Sequence, residues 1–399
     1  MAQSKTITYV IGTTDIGGAE MHLLRICTGL IPKGWNVTIF SLANAGKLAE
    51  AFAQTGATVV HPPSLTASGP LRKVFRLVQI LLQTLRIFLH LLFSRPSIVH
   101  FFLPAAYLVG APLAILAGSK IKLMSRRSLN LYQEKHPKLA KLEHWLHKKM
   151  DVILGNSRAV ISNLKDDEQV HPAKLGLIYN GIETGLYQHT PSKTTLRDEL
   201  KLNENALVFI LVANLIPYKG HMDLINALGL VDDQLPEDWH LVCAGYDSGY
   251  LSKLKMRSTE LGLNEKIHFL GQRQDIPDLL QASDVGLLCS HEEGFSNAIL
   301  EAMASALAMV VTDVGGNGDV VEEGKSGFIV PAHNPEKLGK ALVKISHDPQ
   351  RLKEMGAYAR SVIEKDFTLE HCVDQYDQLY QRLLTDKTIP APIKINRPS

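Results

Sequence analysis

The chain has 399 residues, of which 45% are hydrophobic and 21% are charged, a composition typical of folded globular proteins. This length exceeds what one hydrophobic core usually organises, so we expect two domains. The net charge is only +2, and no basic run is interleaved with aromatic residues, which argues against a nucleic-acid-binding protein.

The charge is distributed unevenly along the chain. Residues 1–190 contain 21 Lys and Arg against 10 Asp and Glu, whereas the remainder contains 21 against 30. A basic first half could meet an anionic membrane surface or an anionic acceptor. A solvated, unbalanced surface explains the counts equally well, so both interpretations stay open.

The beginning of the chain, MAQSKTITYVIG, leads directly into a strand pattern, so we expect no signal peptide. Each of the four cysteines, Cys27, Cys243, Cys289 and Cys372, lies in an apolar stretch, and no Cys-x-x-Cys pair occurs. We therefore predict reduced core cysteines in a cytoplasmic protein.

Short apolar runs alternate with helical patterns through the first half of the chain. Strands are predicted at Ile7–Ile11, Val37–Leu42, Thr58–Val60, Ile98–Phe102, Ile121–Ser125, Val152–Leu154 and Leu177–Tyr179. Helices predicted at Ala19–Leu30 and Ala105–Ala117 lie between them. This alternation indicates an α/β domain with a doubly wound parallel sheet.

The segment Leu71–Phe93 is strongly apolar, and Ser68 and Pro70 provide a helix start. Four basic residues interrupt it, at Arg72, Lys73, Arg76 and Arg86. A membrane-spanning helix needs about 20 largely apolar residues. The pattern therefore predicts a long basic amphipathic helix, either packed on the sheet, which is the commoner case, or lying at a membrane interface.

The polar stretch Gln188–Lys201, with Pro191 and Ser192, is the predicted linker. Further strands are then predicted at Leu207–Val212, His240–Ala244, Lys266–Leu270, Val285–Cys289, Met309–Thr312 and Phe328–Val330. Long helices are expected from Pro335 to Leu384.

Two Rossmann-like domains facing across a cleft are thus expected, at residues 1–187 and 188–370. A helix over 371–386 is expected to return to the first domain. The proline-containing tail 387–399 has little to bury and is expected to be disordered.

Three places combine a strand end with residues suited to an anionic ligand. Gly17 and Gly18 follow the first strand, where backbone can approach a ligand closely and a helix N-terminus favours an anion, although such pairs often serve only as turns. Asn214 and Lys219 follow the strand at Leu207–Val212. The lysine could neutralise a diphosphate or could be an ordinary surface cation.

The third place follows the strand at Val285–Cys289. Glu293 is followed by Gly294-Phe295-Ser296-Asn297 and then by an apolar helix, Ala298–Ala308. Ser296 or Asn297 can cap that helix, leaving amide groups and a helix dipole suited to a phosphate. Glu301 lies in the first turns, and its carboxylate could accept hydrogen bonds from a ribose diol.

The run HEEGFSNAILE, with seven residues between Glu293 and Glu301, resembles the E-x7-E motif of the retaining glycosyltransferases of family 4, which have the GT-B fold. Further stretches resemble this family, in the expected order and over nearly the whole chain. These are IGGAEMHLLRICTGL, SIVHFFLPAAYLVGAPLA, GNSRAV, IYNGIE, VANLIPYKGHMDLI and FLGQRQDIPDLLQASDVGLLCS.

The resemblance implies roles for the matching positions. Glu301 would bind the ribose hydroxyls, Glu293 would contact the transferred sugar, and Lys219 would bind the diphosphate. Amides around Gly294, Phe295, Ser296 and Asn297 would hold sugar and phosphate. The loop at Arg273 would lie against the base, while Gly17 and Gly18 would bring the first domain onto the phosphates. Catalysis would need neither cofactor nor metal, and no metal ligands are predicted.

The sequence departs from this family at the second diphosphate cation. Relatives usually have an arginine at the position of Asn214 or Ile216, and neither is arginine here. Either another group supplies the second cation, or donor binding is weaker than in these relatives and full activity is in doubt.

The acceptor side also departs from the family. A histidine is common after the strand at Ile121–Ser125, where this chain has Arg126 and Arg127. An arginine cannot act as a general base but could bind phosphate or an anionic acceptor. His100 matches the first member of a frequent His-x-His pair, and a core position is an equally good interpretation of it.

The resemblance implies transfer of a sugar from a nucleotide-sugar, UDP-sugar first and GDP-sugar next, to a saccharide or lipid-linked acceptor in cell-surface glycan synthesis. The enzyme would be cytoplasmic, with peripheral contact to an anionic membrane as a further expectation. A sugar-nucleotide epimerase on a similar fold and a non-catalytic partner subunit of a transferase are the alternatives. The missing arginine keeps the second alternative open.

Overall fold

A computed structural model describes residues 5–64, 71–130, 133, 136–187 and 194–385. The chain forms two compact units, the first containing residues 1–181 and 369–399 and the second residues 182–368. The division falls between Gly181 and Ile182, whereas the sequence analysis placed it between residues 187 and 188. The predicted linker residues Pro191 and Ser192, the helix start at Ser68 and Pro70, and the tail 387–399 lie outside the described residues.

The first unit is built on a seven-stranded parallel sheet with the order β3-β2-β1-β4-β5-β6-β7. The strands are β1 Thr6–Ile11, β2 Asn36–Ser41, β3 Thr58–Val60, β4 Ile98–Phe102, β5 Lys122–Arg126, β6 Val152–Gly155 and β7 Leu175–Leu177. The prediction for the last strand, Leu177–Tyr179, is shifted by two residues. The other strands coincide with the prediction to within one residue at each end, because buried parallel strands read as continuous apolar runs.

Helices cover both faces of this sheet. They are α1 Gly18–Leu30, α2 Ala49–Gln54, α3 Leu71–Ser94, α4 Leu103–Leu116, α5 Pro137–His147, α6 Arg158–Ser162 and α15 Leu369–Thr385. Alternate strand residues enter two separate cores: Tyr9 joins the core beneath α1 and α15, and Val10 joins the core beneath α3 and α4. The predicted doubly wound α/β architecture is confirmed for this unit.

Helix α15 follows the second unit in the chain but completes the core of the first. The hydroxyls of Tyr380 and Tyr9 are hydrogen-bonded at 3.0 Å, and both residues are fully buried. The Trp35 indole donates a 2.7 Å hydrogen bond to the Asp377 carboxylate. At Gly29 of α1, a Cβ atom would collide with the side chain of Val373, so the two helices approach closely. The first unit therefore depends on residues that follow the second unit in the chain.

The second unit has a six-stranded parallel sheet with the order β10-β9-β8-β11-β12-β13. Its strands are β8 Leu207–Val212, β9 Trp239–Ala244, β10 Ile267–Gly271, β11 Val285–Leu288, β12 Ala308–Thr312 and β13 Gly327–Val330. Its helices are α7 Thr194–Leu200, α8 His221–Val231, α9 Leu251–Glu260, α10 Ile276–Gln281, α11 Asn297–Ala304, α12 Asn317–Val320, α13 Pro335–Ser346 and α14 Pro349–Asp366. All strands are parallel, but the order in which successive strands are added to the sheet changes direction between β8 and β11. Parallel sheets of this kind bind ligands at that position.

All four cysteines are free and buried, as predicted. Burial raises the pKa of the Cys243 and Cys372 thiols to about 12, so both stay protonated near neutral pH.

Helix α3 has the opposite arrangement from an ordinary core helix. Its polar side chains hold it to the first unit: the Gln83 amide donates to the carbonyl oxygens of Ser41 and Val60, and His90 is hydrogen-bonded to Thr8. Its apolar side chains are largely exposed, at Val74, Leu77, Val78, Ile80, Leu81, Leu82, Leu85, Leu89 and Phe93. The core-packing interpretation therefore holds only for a narrow stripe at Ile87 and Leu91.

Candidate functional site

The strongest candidate site lies at the carboxyl ends of β8 and β11, which are neighbours in the sheet of the second unit. Lys219 ends a 3-10 turn, Pro217–Lys219, after β8, and Glu293 follows β11. The reversal of strand order between β8 and β11 opens a crevice beyond their carboxyl ends. Two residues that the sequence placed 74 positions apart are thereby brought together.

The Lys219 ammonium group forms an ion pair with the Glu293 carboxylate, with 2.5 Å between Nζ and Oε1. The side chains are only 19% and 10% exposed, so solvent screens this pair less than a surface pair. The Ser290 hydroxyl donates a 2.8 Å hydrogen bond to the same carboxylate oxygen. These two groups hold the Glu293 carboxylate in one position.

Backbone contacts hold the two loops of the site against each other. The amide of His291 donates a 2.7 Å hydrogen bond to the carbonyl oxygen of Tyr218. Gly220 has a φ of +74° and lies so close to Cys289 that a Cβ atom would overlap its carbonyl oxygen. Gly315, at φ +54°, approaches the carbonyl oxygen of Glu293 in the same way. Only glycine combines this backbone conformation with this proximity.

Helix α11 begins at Asn297, four residues after Glu293. Ser296 occupies the N-cap position in an extended conformation, but its side chain makes no capping hydrogen bond. The predicted side-chain cap by Ser296 is therefore wrong. The amides that a serine cap would occupy, together with the helix dipole, suit a phosphate group.

The residues between Glu293 and α11 are held in place by contacts with other parts of the second unit. The Gly294 carbonyl accepts a 3.0 Å hydrogen bond from the amide of Gly316, and the Phe295 ring stacks on that of Phe367 with centroids 5.9 Å apart. Asn297 is the first residue of α11, and Glu301 lies half-buried one turn further on. The roles implied for these residues stay predictions.

Two other predicted ligands of the donor lie near the ends of strands in the same sheet. The exposed Asn214 side chain follows β8 and accepts a 3.2 Å hydrogen bond from the amide of Tyr246. Arg273 follows β10, and its guanidinium forms a bidentate ion pair with each of two carboxylates, those of Glu199 and Asp275. Arg273 is thus already neutralised and does not supply the second diphosphate cation in this arrangement. Within the described part of the chain, Lys219 is the cation that contacts Glu293.

The acceptor-side assignments of His100 and Arg126 are corrected by the structure. His100 is fully buried, with its ring nitrogens hydrogen-bonded to Tyr380 at 2.7 Å and Ser125 at 2.8 Å. Burial, reinforced by the charge of Arg127, lowers its pKa to about 3, so it stays neutral. His100 is a core residue that cannot reach an acceptor.

Arg126 is also fully buried and forms ion pairs with Glu143 at 2.6 Å and Glu168 at 3.0 Å. His147 adds a 2.8 Å hydrogen bond to Glu168. Burial alone would raise the pKa of Glu168, but His147 and the Arg126 charge lower it on balance. Arg126 therefore stabilises the first unit and is inaccessible to an anionic acceptor.

Arg127 and the glycine pair lie at the carboxyl edge of the first sheet. Arg127 follows β5 directly and is half-buried, and its guanidinium donates a hydrogen bond to the Asn180 side chain. Gly17 and Gly18 begin α1 after β1. A Cβ atom on Gly17 would collide with the Glu20 carboxylate, whose pKa is raised by burial although the Arg127 charge opposes this. The acceptor role of Arg127 and the phosphate role of the glycines stay predictions.

One cluster near Glu293 escaped the sequence analysis. Asp223, His291 and His333 each offer one ligand atom, and these atoms lie within 4.8 Å of one another. The residues lie on α8, after β11 and after β13. Asp223 and His291 lie in two separate stretches that resemble the family and His333 lies in neither, so no single spacing in the sequence indicates this cluster.

Comparison with known proteins identifies the family of the chain. The model of the family described as Glycosyltransferase Family 4 matches residues 16–186, and that of Glycosyl transferases group 1 matches residues 192–362. An Escherichia coli UDP-Gal:alpha-D-GlcNAc-diphosphoundecaprenol alpha-1,3-galactosyltransferase is 31% identical over 55% of this chain and 57% of its own length. A Bacillus anthracis N-acetyl-alpha-D-glucosaminyl L-malate synthase is 26% identical over 63% of this chain and 64% of its own. The chain thus spans less than two thirds of the length of these relatives.

Solved structures show the same fold. HepE from Anabaena in complex with UDP superposes with a TM-score of 0.82 at 22% identity, covering 95% of this chain and all of that one. A glycosyltransferase from Rickettsia africae gives a TM-score of 0.81 at 20% identity, over 96% of this chain and all of that one. The chain belongs to glycosyltransferase family 4 and has the GT-B fold, with two parallel-sheet Rossmann-like domains.

Proposed function

We propose that this protein is a retaining, metal-independent glycosyltransferase that moves a sugar from a nucleotide-sugar, preferably a UDP-sugar, to a saccharide or lipid-linked acceptor. The observation that carries this proposal is the Lys219–Glu293 ion pair beside the start of α11. A half-buried cation, a fixed carboxylate and a helix N-terminus lie within one small region and can bind the diphosphate and the sugar.

The ion pair suggests how the donor engages this region. In the absence of donor, Glu293 neutralises Lys219. A bound diphosphate carries more negative charge than Glu293 and forms an ion pair with the Lys219 ammonium group in its place. The Glu293 carboxylate is then free to accept hydrogen bonds from sugar hydroxyls. The amides of α11 and the Lys219 charge then stabilise the diphosphate as it leaves. These groups provide the charge stabilisation that a metal ion would otherwise supply.

The comparisons support the choice of donor and acceptor. The name of the Escherichia coli relative specifies a UDP-sugar and a diphosphoundecaprenol-linked acceptor, and the Anabaena structure contains UDP. We extend these properties to this chain as part of the proposal. GDP-sugars are the second choice of donor.

A nucleotide screen tests the proposal. The full chain is incubated with UDP-, GDP- and ADP-sugars, with and without a mixture of lipid-linked saccharide acceptors, and with EDTA in parallel. We expect UDP release that depends on an acceptor and is unaffected by EDTA, with the anomeric configuration of the product retained when read by NMR. Conversion of the sugar-nucleotide without acceptor would instead identify an epimerase. Absence of turnover with every donor would support a non-catalytic partner subunit.

The exposed apolar face of α3 favours contact with a membrane, which would bring the enzyme to a lipid-linked acceptor. In the described part of the chain, Val74–Ser94 is the one segment long and apolar enough to cross a membrane, and 17% of its most apolar window is buried. Crossing would break the hydrogen bonds that hold Gln79, Gln83 and His90 to the first unit. We therefore propose that α3 lies in the plane of the interface, with Arg76 and Arg86 near anionic headgroups.

Replacing both Leu81 and Leu85 with glutamate is expected to weaken binding to phosphatidylglycerol-containing vesicles at least about tenfold. Burying one such side chain contributes about 1.5–3 kcal/mol, and the new charges repel anionic lipid. Sedimentation with vesicles measures this, and rising salt should weaken the binding of the unmodified chain. Leu230→Glu, at an exposed position of α8, is the matched control and should bind normally. Equal binding by the double variant would contradict the proposed orientation.

A further inference from the structure

We infer that Asp223, His291 and His333 form a binding site for a divalent transition-metal ion such as Zn²⁺, next to the donor loop but separate from the Lys219–Glu293 pair. His291 Nε2 lies 2.8 Å from Asp223 Oδ2, and the rings of His291 and His333 have centroids 3.7 Å apart. One ligand atom from each of the three lies within 4.8 Å of the others. Two imidazoles and one carboxylate are a ligand set that Zn²⁺, Co²⁺ and Ni²⁺ accept.

Three separate elements supply the ligands. Asp223 lies in the first turn of α8, His291 follows β11, and His333 follows β13 with a positive φ of 57°. The side chains of Asp223 and His291 are about one-fifth exposed, and His333 is exposed. The site is therefore held by the fold on one side and open on the other, which leaves coordination positions for water.

Metal binding can be written with its protons balanced. In the absence of an ion, the close approach of His291 to Asp223 is a hydrogen bond in which the imidazole Nε2–H donates to the carboxylate. For an ion to bind Nε2, the single proton of the neutral ring moves from Nε2 to Nδ1 through solvent, and the ion takes the lone pair that this leaves at Nε2. Metal–ligand distances of about 2.0–2.2 Å in tetrahedral geometry place the two atoms about 3.3–3.6 Å apart. The present 2.8 Å contact therefore has to open by about 0.5–0.8 Å.

Two other clusters in the described residues show why this one is distinct. Asp238, His240 and His268 are also hydrogen-bonded, but Asp238 contacts Nε2 of His240 and His268 contacts Nδ1, each at 3.1 Å. These partners lie on opposite sides of one ring and cannot converge on an ion. Glu143, His147 and Glu168 converge but already surround the Arg126 guanidinium, whose charge disfavours a second cation.

The position of the site gives the ion a defined effect. His291 lies two residues before Glu293, and its amide is bonded to Tyr218, next to Lys219. An ion on His291 links this loop to α8 through Asp223 and to the segment after β13 through His333. Neither Lys219 nor Glu293 is a ligand, so the ion stabilises the loop without replacing the diphosphate cation.

The test uses Co²⁺ titration of the full, tag-free chain without nucleotide, followed by visible absorption and then by displacement with Zn²⁺. We expect one ion per chain and an increase in Tm with Zn²⁺. His333→Gln should weaken Co²⁺ binding at least about tenfold and abolish the Zn²⁺-induced rise in Tm. Because His333 is exposed, this variant should fold normally.

His268→Gln is the matched control, since it removes a histidine from the non-converging cluster in the same unit. It should bind Co²⁺ as the unmodified chain does. If the unmodified chain binds no Co²⁺, or if His333→Gln binds it with unchanged affinity, the site does not exist. These readouts do not involve sugar transfer, so they stand or fall independently of the proposed enzymatic function.

Discussion

Replacing Lys219 with alanine is expected to weaken UDP binding by about 10- to 100-fold. A hydrogen bond to a charged partner contributes about 1.5–3 kcal/mol, and each 1.4 kcal/mol changes a dissociation constant tenfold. In the described residues of the second unit, no other cation contacts Glu293. We therefore expect no neighbouring cation to replace the lost charge of Lys219. Isothermal titration with UDP measures the loss, and Lys219→Arg should recover part of it because it restores the charge.

Replacing Glu293 with alanine should reduce sugar transfer without weakening UDP binding. The carboxylate competes with the diphosphate for Lys219, so its removal should leave UDP binding unchanged or make it tighter. Transfer should nevertheless fall by about 100-fold or more, because a positioned polar contact to the reacting sugar is lost. A parallel loss of UDP affinity and transfer in both variants would contradict the exchange of partners described above.

The Lys266–Asp232 pair provides a matched control in the same unit. Its two charged atoms are 2.6 Å apart, but the side chains are 30% and 42% exposed. The pair lies at the amino ends of the strands, because Asp232 accepts a hydrogen bond from Trp239 at the start of β9 and Lys266 precedes β10. Lys266→Ala should bind UDP and transfer sugar normally. If Lys219→Ala behaved like Lys266→Ala, the Lys219–Glu293 pair would be a structural ion pair and the proposed function would lose its main support.

The second large effect is expected on stability. Arg126→Ala should lower the free energy of unfolding of the first unit by about 3–5 kcal/mol, because it leaves two buried carboxylates without their cation. Two of the three tryptophans, Trp35 and Trp145, lie in this unit, so urea denaturation followed by fluorescence can detect the change. Arg126→Lys keeps the charge but loses the fork geometry of the guanidinium, and should show a smaller loss.

Lys33→Ala is the control for this experiment. It removes a cation from an exposed pair with Asp374 in the same unit, and should leave the unfolding transition unchanged. A variant Arg126→Ala that unfolds like the unmodified chain would show that the buried carboxylates are protonated or hydrated. Normal stability combined with loss of acceptor affinity would restore the acceptor role that the structure argues against.

The sequence predicted the sheets well, because buried parallel strands are continuous apolar runs that differ from the helical patterns around them. It also placed Lys219 and Glu293 each after a strand, and the structure shows that these two strands are neighbours and that the side chains are in contact. It could not locate the partners of Arg126, because Glu143 and Glu168 approach it only through tertiary packing. His100 was ambiguous for the same reason, since its partner Tyr380 lies 280 positions away.

Helix α3 shows a different limit of sequence patterns. Its amphipathic pattern predicted a helix correctly, but periodicity does not tell which face is turned toward the domain. The face buried in the structure is anchored by Gln79, Gln83 and His90, whereas apolar patterning alone favoured burial of the leucines. The Asp223–His291–His333 cluster was missed because its members come from three elements without a shared motif.

Helix α15 has a consequence for synthesis of the chain on the ribosome. Residues Leu369–Thr385 emerge after the entire second unit, yet they supply Tyr376 and Tyr380 to the core of the first. Until then, the nascent first unit exposes the apolar surface around Tyr9 and Trp35 while the second unit, continuous in the chain, is already able to fold. The domain translated first is therefore the one completed last, and a premature stop codon shortly before Leu369 damages the beginning of the protein more than its end.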